Sequence, residues 1–405
     1  MKQIPRSRSE QIKEDGMNFG KRGRLTVRVS VLAMALTGTL MLAGCTPPDS
    51  GGTEGGSANV EFDETARSEA QKNVDALTAV PSYNGPTEQI DMSLVKGKKL
   101  YLIAFDLSND FNRRLADSFE EAAKLVGAEA VLLSSGIDSG VAASYIDQAV
   151  ADGAAGIALL SIGVEQVPSA IQNAASAGIP IVTMAQTSAG SDPGEGIVNQ
   201  VTVNTTDIGA AQVDLAYLSS GESLDVVAYG GYTLPQDVSQ LAGQEARMAE
   251  LGLEDAFVKN DVNLNTFQTA LPGIVQSAIT ADPGVNWVLP TWDVLGTYVL
   301  PGIRSAQAED RVQVSTWNGI PAAMELVQDG EQAGVFGVPL RWWGWATFDM
   351  LARYIAGQDV APDAENLPVR LFTPEVLADI DDIGDEQSLY EDDHVFDTYR
   401  ELWGL

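Results

Sequence analysis

The chain has 405 residues, of which 56 are acidic and 24 basic, and its formal net charge is −32. A surface with that charge repels phosphate backbones, so it argues against nucleic-acid binding and favours solubility. A single cysteine excludes an internal disulfide. The one histidine, His394, lies in an acidic stretch near the end of the sequence, and a Ser-His-Asp triad or a histidine-based metal site has no other histidine to use.

The first 44 residues have the pattern of a secretory signal. A basic patch at 21–28 precedes an uncharged apolar run at 29–42, which is shorter than the roughly 20 residues that a membrane-spanning helix needs. Met17 lies just before this patch and is an alternative start of the chain. Residues 42–45, Leu-Ala-Gly-Cys, resemble the lipobox of bacterial lipoproteins, which implies cleavage before Cys45 and diacylglycerol on its thiol. A buried thiol or a signal-anchor helix is the alternative.

A tether and a short helical extension follow. Residues 45–60 are rich in glycine, serine and proline, which predicts a flexible tether between the lipid and a globular part outside the membrane. Residues 61–80 predict a helix that ends at Pro81. We assign 61–96 to an N-terminal helical extension.

From residue 98 onward, short apolar strands alternate with helices that end in glycine. The first series of predicted strands is 98–105, 128–135, 154–161, 179–185 and 198–204. The second series is 223–231, 256–261, 285–292, 311–318, 332–339 and 367–373. This alternation predicts an α/β fold of two Rossmann-like lobes with parallel sheets. Ligands of such sheets bind beyond the carboxyl ends of the strands, so we expect one cleft between the lobes.

Several phrases in these series resemble the type I periplasmic solute-binding family, in its ribose-binding-like branch. They include SNDF (108–111), AIQNAASAGIPIVTM (170–184), VTVNTTDIGAAQVDLA (201–216) and WNGIPAAMELVQDGEQAGVFGVP (317–339). The resemblance covers about 97–373 and implies a hinge that the chain crosses three times, near 204–207, 318–320 and 340–346. It further implies an N-lobe of 97–205 plus 319–343, a C-lobe of 206–318 plus 344–373, and an acidic C-terminal tail of 374–405.

The resemblance and the strand ends together give the candidate ligand-binding residues. They are Asn109, Asp110, Phe111, Asn112, Gln186, Gln236, Asp237, Trp292, Asp293, Trp317, Asn318, Arg341 and Trp342. Aromatic rings suit the C–H faces of sugars, whereas amides, carboxylates and arginine bind hydroxyl groups. Each candidate also has a structural alternative: the tryptophans can pack in the core, Asp110 can cap a helix, and Asn318 can stabilise a turn.

The chain departs from the sugar-site pattern of the family. Ala185 and Gln186 stand where an Asp-Arg pair is usual, and no arginine occurs at 232–243. Asn318 stands where the family has a hinge aspartate. We therefore expect a pocket that is less charged and richer in tryptophan than a pentose site, and a larger or less polar solute fits equally well.

The resemblance implies transport rather than catalysis, and we assign no catalytic residue, metal or cofactor. The acidic stretch 379–393 lacks calcium ligands at Ile383 and Tyr390. We expect a monomer that is lipid-anchored on the extracytoplasmic face of the cell membrane and delivers a sugar-like solute to an ABC transporter permease. A receptor that presents its ligand to a membrane sensor is the alternative. A carboxylate-based enzyme using Asp110, Asp237 and Asp293 is a third hypothesis.

Overall fold

The computed structural model describes residues 64–220, 223–358, 360–361 and 365–405. The predicted signal at 1–44, the lipidation site Cys45 and the tether that follows it lie outside the described residues. Across the described ranges, no helix combines the length and the apolar character needed to span a membrane.

A five-stranded parallel sheet forms the centre of the N-lobe. Its strands are β1 (Lys99–Ala104), β2 (Glu129–Ser134), β3 (Gly156–Leu160), β4 (Ile181–Met184) and β5 (Asn199–Val201). They pair in the order β2-β1-β3-β4-β5. Every residue of β3 and β4 is buried, because helices cover both faces of the sheet, and this explains why the two strands are apolar throughout.

A six-stranded sheet forms the centre of the C-lobe. Its strands are β6 (Val226–Gly230), β7 (Phe257–Asp261), β8 (Trp287–Pro290), β9 (Gln313–Asn318), β10 (Gly334–Gly337) and β11 (Arg370–Phe372). They pair in the order β11-β10-β9-β8-β6-β7. All neighbours are parallel except β10 and β11, which are antiparallel. The predicted class, two α/β lobes, is confirmed, and the predicted parallel pairing holds for every strand except β11.

Helices cover both faces of each sheet. They are α1 (Glu64–Thr78), α2 (Asp110–Val126), α3 (Ser139–Ala151), α4 (Pro168–Ser176), α5 (Thr205–Ser220), α6 (Pro235–Glu250), α7 (Phe267–Ala281), α8 (Asp293–Ser305), α9 (Pro321–Gln328) and α10 (Leu340–Ile355). On the first sheet, α3 packs beside α4, and α2 packs beside α10. On the second sheet, α5 packs beside α6, and α7 beside α8. The extension helix α1 packs on α5 and β11.

The expected division of the chain differs from the structure at two elements. We placed 319–343 in the N-lobe, but β10 pairs with β9 and β11 in the second sheet. We placed 344–373 in the C-lobe, but α10 packs against α2 and the first sheet. The crossing expected near 318–320 is therefore absent, and the chain instead returns to the second sheet between α10 and β11. A strand that follows one short helix is most readily added beside the preceding strand, which places β10 next to β9.

The C-terminal segment is packed against the protein, which corrects the expectation of a solvated acidic tail. It forms α11 (Pro374–Leu377), α12 (Glu386–Tyr390) and α13 (Asp393–Leu402). Trp403 stacks on Trp345 of α10 with ring centroids 5.0 Å apart, and its Nε1 donates a hydrogen bond to Asp349 at 2.6 Å. Phe396 and Tyr399 are also buried. These aromatic residues recur every three or four positions and give α13 an apolar face that the surrounding acidic residues obscure in the sequence.

Candidate functional site

A cavity of about 460 Å³ lies at the carboxyl ends of the parallel strands and is lined by residues of both lobes. The lining residues follow β1 to β4 in the N-lobe and β6 to β9 in the C-lobe. This is the position at which open parallel sheets bind ligands. The cavity brings together eight of the candidate residues: Asn109, Asp110, Phe111, Asn112, Gln186, Gln236, Trp292 and Asn318.

The loop after β1 and the start of α2 form one wall of the cavity. Asn109 is the N-cap of α2, and its Oδ1 accepts a hydrogen bond from the Phe111 amide at 2.9 Å. Asp110, the residue we expected as the possible cap, instead forms an ion pair with Arg114 at 2.9 Å. The Phe111 ring is held edge-on against Trp343, with ring centroids 5.9 Å apart. These contacts fix the orientation of the wall.

Asn112 joins the loop after β1 to the loop after β3. Its Nδ2 donates to the Asp106 carbonyl at 3.0 Å, and its Oδ1 accepts from the Ser161 hydroxyl at 3.2 Å. Asn112 is 4 % exposed, so these bonds replace water on a buried amide. Asn112 therefore connects two strand ends as well as lining the cavity.

Gln186, which follows β4, is the buried polar group of the cavity that lacks partners. It is 3 % exposed, and neither its Nε2 nor its Oε1 makes a hydrogen bond within the described residues. Leaving such groups unsatisfied costs about 1–3 kcal/mol each. The side chain lines the cavity, so a ligand placed there can supply both missing partners.

Backbone strain is concentrated around the cavity. Ser161, Ala185 and Asn318 line it and have positive φ angles of 55°, 50° and 123°. Each of these residues directly follows or ends a strand. A positive φ is costly for residues other than glycine, and such strain is typical of functional sites in folded proteins.

The opposite wall is formed by Trp292 and Phe267 of the C-lobe. The edge of one ring meets the face of the other with centroids 5.4 Å apart, at an interplanar angle of 75°. Trp292 Nε1 donates a hydrogen bond to Asp237 Oδ2 at 3.1 Å. The wall thus presents the aromatic ring of Trp292 to the cavity, and the carboxylate of Asp237 behind it fixes the orientation of that ring.

Asp237 supports the cavity from behind and does not line it. Its Oδ2 also accepts from the Gly231 amide at 2.7 Å and the Thr291 hydroxyl at 2.8 Å. Complete burial raises the pKa of Asp237 from 3.8 to about 6, although these donors act in the opposite direction. The structure thus makes Asp237 a positioning residue for Trp292.

Asp293 and Trp317 also lie behind the cavity. Asp293 accepts hydrogen bonds from the Thr316 hydroxyl and from the amides of Gly319 and Ile320, at 2.6, 2.8 and 3.0 Å. Its burial raises its pKa from 3.8 to about 7. Trp317 is fully buried. Because Gly319 and Ile320 follow Asn318, Asp293 holds the backbone next to that lining residue in place.

Arg341 and Trp342, the two candidates from α10, lie away from the cavity. Arg341 donates twice to Glu121 of α2, at 3.0 and 2.7 Å. Trp342 stacks on Tyr83 and donates from its Nε1 to the Tyr399 hydroxyl. The alternative of a packing role is the one that the structure supports for Trp342. Both side chains are directed toward the terminal segments because α10 covers the first sheet.

Sequence reasoning missed several lining residues. They are Phe105, Asp106, Ser108, Ile137, Ser161, Gly163, Ala185, Leu234, Pro235, Leu264, Phe267, Gln268 and Val294. Most follow a predicted strand directly, so the strand-end rule identifies the loops that contain them. Phe267 is different, because it lies at the start of α7 and reads as an ordinary core position of an amphipathic helix.

Carboxylates are the only charged groups on the described surface of the cavity. Asp106 and Asp110 line it, but no lysine or arginine of the described residues does. Nor does the described part of the chain contain a group of three or more His, Cys, Asp or Glu side chains that could hold a metal ion. The lining thus combines amides, hydroxyls, two carboxylates and aromatic and aliphatic side chains.

Comparison with known proteins identifies the family of this chain. Residues 100–359 match the model of the periplasmic binding protein domain, and no curated protein matches the sequence. An ABC sugar transporter subunit from Rhodobacter sphaeroides is similar in structure, with TM-score 0.61, 21% identity, and coverage of 69% of this chain and 99% of that one.

Two further solved structures share the fold. An ABC transporter solute-binding protein from Agrobacterium vitis with bound allitol has TM-score 0.61 and 16% identity, covering 70% of this chain and 98% of that chain. GanP, a glucose-galactose binding protein from Geobacillus stearothermophilus, has TM-score 0.60 and 18% identity, covering 69% and 98%. The chain therefore belongs to the periplasmic binding protein family, whose members bind solutes and are not enzymes.

Proposed function

We propose that this protein captures a neutral polyhydroxy solute, a sugar or a sugar-like compound, in the cleft between its lobes and delivers it to an ABC import permease. Closure of the lobes around the hinge buries the solute, and a ligand stabilises the closed form only by binding it better than the open form. Lipid on Cys45 holds the protein on the extracytoplasmic face of the membrane.

The observation that carries this proposal is the unpartnered amide of Gln186. The side chain offers one donor group and one acceptor, both buried and both without partners in the described residues. A hydroxyl group is donor and acceptor at once, so a polyhydroxy solute can satisfy both atoms. Trp292 and Phe267 provide aromatic surface for the C–H face of a sugar ring.

The charge of the lining further argues against an anionic solute. Two carboxylates and no lysine or arginine of the described residues line the cavity, so nothing there compensates a phosphate or carboxylate on a ligand. The solved structures with bound allitol and the glucose-galactose binding protein show that this fold accommodates neutral polyols and hexoses.

A calorimetric panel tests the proposal. We expect allitol, glucose, galactose or a related neutral compound to bind, and the matching anions, such as glucose 6-phosphate and gluconate, to bind at least tenfold more weakly. Stronger binding of the anions, or of amino acids, would contradict the assignment of a neutral polyhydroxy solute.

Substitution of Gln186 separates binding from folding. In Gln186→Met the amide is replaced by an apolar chain of similar length, so the thermal midpoint of the unliganded protein should not fall. Affinity for the solute should fall at least tenfold. Gln313→Met, at an exposed position of β9 away from the cavity, is the control and should change neither quantity. Unchanged affinity in Gln186→Met would remove this residue from the proposed site.

Membrane attachment and delivery need cellular measurements. We expect Cys45→Ser to release the protein from the membrane fraction, because one acylated residue supplies the anchor. Deletion of the cognate permease should abolish solute uptake. If deletion of this protein leaves uptake intact and abolishes a transcriptional response to the solute instead, the protein serves a membrane sensor and the delivery step of the proposal is wrong.

A further inference from the structure

A second compartment adjoins the cavity described above. It has a volume of about 380 Å³ and lies between the loops after β2 and β3 of the N-lobe and those after β6 and β7 of the C-lobe. The two compartments share six lining residues: Phe105, Ile137, Ser161, Gly163, Leu234 and Leu264. The cleft is thus elongated, with a shared zone between its two ends.

The shared zone is an apolar collar with contributions from both lobes. Phe105 and Ile137 belong to the N-lobe, and Leu234 and Leu264 belong to the C-lobe. Ile137 is 62% exposed, so its apolar surface is open to solvent in the cleft. A ligand that passes through the collar would remove this apolar surface from water.

Beyond the collar the lining becomes more polar. Asn263, Asn265 and Thr233 contribute from the C-lobe, and Gln166 and Ser139 contribute from the N-lobe. The side-chain amides of Gln166 and Asn265 make no hydrogen bond to other described residues, although both reach solvent. As in the first compartment, no lysine or arginine of the described residues lines the space. This end of the cleft can bind hydroxyl groups through several amides.

The size of the cleft exceeds that of one sugar. A hexose has twelve non-hydrogen atoms and fills roughly 200 Å³, about the liquid volume of seven water molecules. Either compartment alone holds one such ring. We propose that the ligand is a neutral disaccharide, or a glycoside of similar length. One ring lies beside Trp292 and Gln186, the linkage passes the apolar collar, and the second ring lies among Asn263, Asn265 and Gln166. This proposal rests on the proposed function.

A blocking substitution confined to the second compartment tests the inference. Thr233 is exposed, lines only the second compartment, and precedes α6 in a turn, so Thr233→Trp fills that space without disturbing the core. Tyr232→Trp is the matched control, because Tyr232 is the exposed neighbour of Thr233 and lines neither compartment. Binding is measured by calorimetry with glucose, galactose and xylose and with disaccharides built from them.

We expect a disaccharide to bind the unmodified protein at least tenfold more tightly than its component monosaccharides. Thr233→Trp should lower the affinity for that disaccharide at least tenfold and leave the affinity for monosaccharides within twofold. Tyr232→Trp should change neither affinity. If monosaccharides bind and disaccharides do not, or if Thr233→Trp affects both equally, the second ring site is wrong and the proposed function stands. If no saccharide binds, both proposals fail.

Discussion

At the scale of single residues, the site separates side chains that line the cavity from side chains that hold the lining residues in place. Gln186 and Trp292 line the cavity, whereas Asp237 and Asp293 lie behind it and accept hydrogen bonds from the groups that shape it. Both types are polar or aromatic residues after strands, so their sequence pattern is the same. Their place in the fold distinguishes them, because Gln186 and Trp292 line the cavity, whereas Asp237 and Asp293 bond to groups behind it.

Trp292→Ala should weaken solute binding at least tenfold, which corresponds to about 1.4 kcal/mol. The substitution removes the aromatic wall and the ring that Asp237 orients. Trp292→Phe keeps the aromatic face and should lose less affinity than the alanine variant. Calorimetry on both variants, with thermal midpoints recorded alongside, checks the result. Equal affinity in Trp292→Ala and the unmodified protein would place the ligand elsewhere.

Asp237 should make the free energy of unfolding depend on pH. Its pKa is about 6 in the folded protein and ordinarily 3.8, so the folded state binds more protons between those values. Its stabilising contribution is present below about pH 4 and is lost as the pH rises through about 6. At 1.36 kcal/mol per pKa unit, the whole change is roughly 3 kcal/mol.

Asp237→Asn removes this titration and keeps an oxygen acceptor at the same place. Relative to the unmodified protein, the variant should therefore gain stability as the pH rises from 4 to 7. Urea unfolding at four pH values in this interval measures the difference. A stability difference that is constant with pH would show that the carboxyl group is not desolvated in the folded state.

At the scale of elements, the pattern of strands predicted where the cavity lies better than it predicted which residues line the cavity. The loops after β1, β4, β8 and β9 were expected to contribute, and each does. The assignment of β10 and α10 to lobes was wrong, because the apolar pattern of a strand does not show which sheet it joins. Nor does the apolar pattern of a helix show which sheet it packs against. The C-terminal helices were missed for a related reason: acidic residues dominate that segment, and its buried face consists of widely spaced aromatic residues.

Trp403→Ala should destabilise the protein by about 3–5 kcal/mol, the usual effect of deleting a buried aromatic side chain. Trp403 is 3 % exposed, stacks on Trp345 and donates to Asp349. Leu405→Ala, at a position 58% exposed, should change stability by less than about 0.5 kcal/mol. Urea unfolding monitored by tryptophan fluorescence compares the two. Equal stability of both variants would mean that the C-terminal segment folds independently of α10.

At the scale of the whole molecule, the strands of both sheets end at one cavity, and we expect solute binding to change the shape of the protein. Residues of both lobes line the cavity, so under the proposed function a bound solute should contact both lobes and stabilise the arrangement in which they are close. Two of the three connections between the lobes are short, since only a few residues separate β5 from α5 and β10 from α10, whereas the third, from α10 to β11, is longer.

The radius of gyration measured by X-ray scattering should therefore decrease when a bound solute is added at saturating concentration. The Trp292→Ala variant, at the same solute concentration, should show a smaller decrease, because a smaller fraction of the protein has solute bound. A curve that remains unchanged for a solute shown to bind by calorimetry would exclude closure of the lobes as the response to binding.

The sequence by itself determined the alternation of strands and helices, and hence the two-lobed α/β class and the edge at which the cavity lies. These features follow from local periodicity and from glycine at helix ends, which are properties of short segments. Only the tertiary structure decided that Asp237 and Asp293 lie behind the cavity, that Arg341 binds Glu121, and that Phe267 faces Trp292. These facts depend on which side of a strand or helix meets a distant part of the chain, and that choice is made by packing over the whole fold.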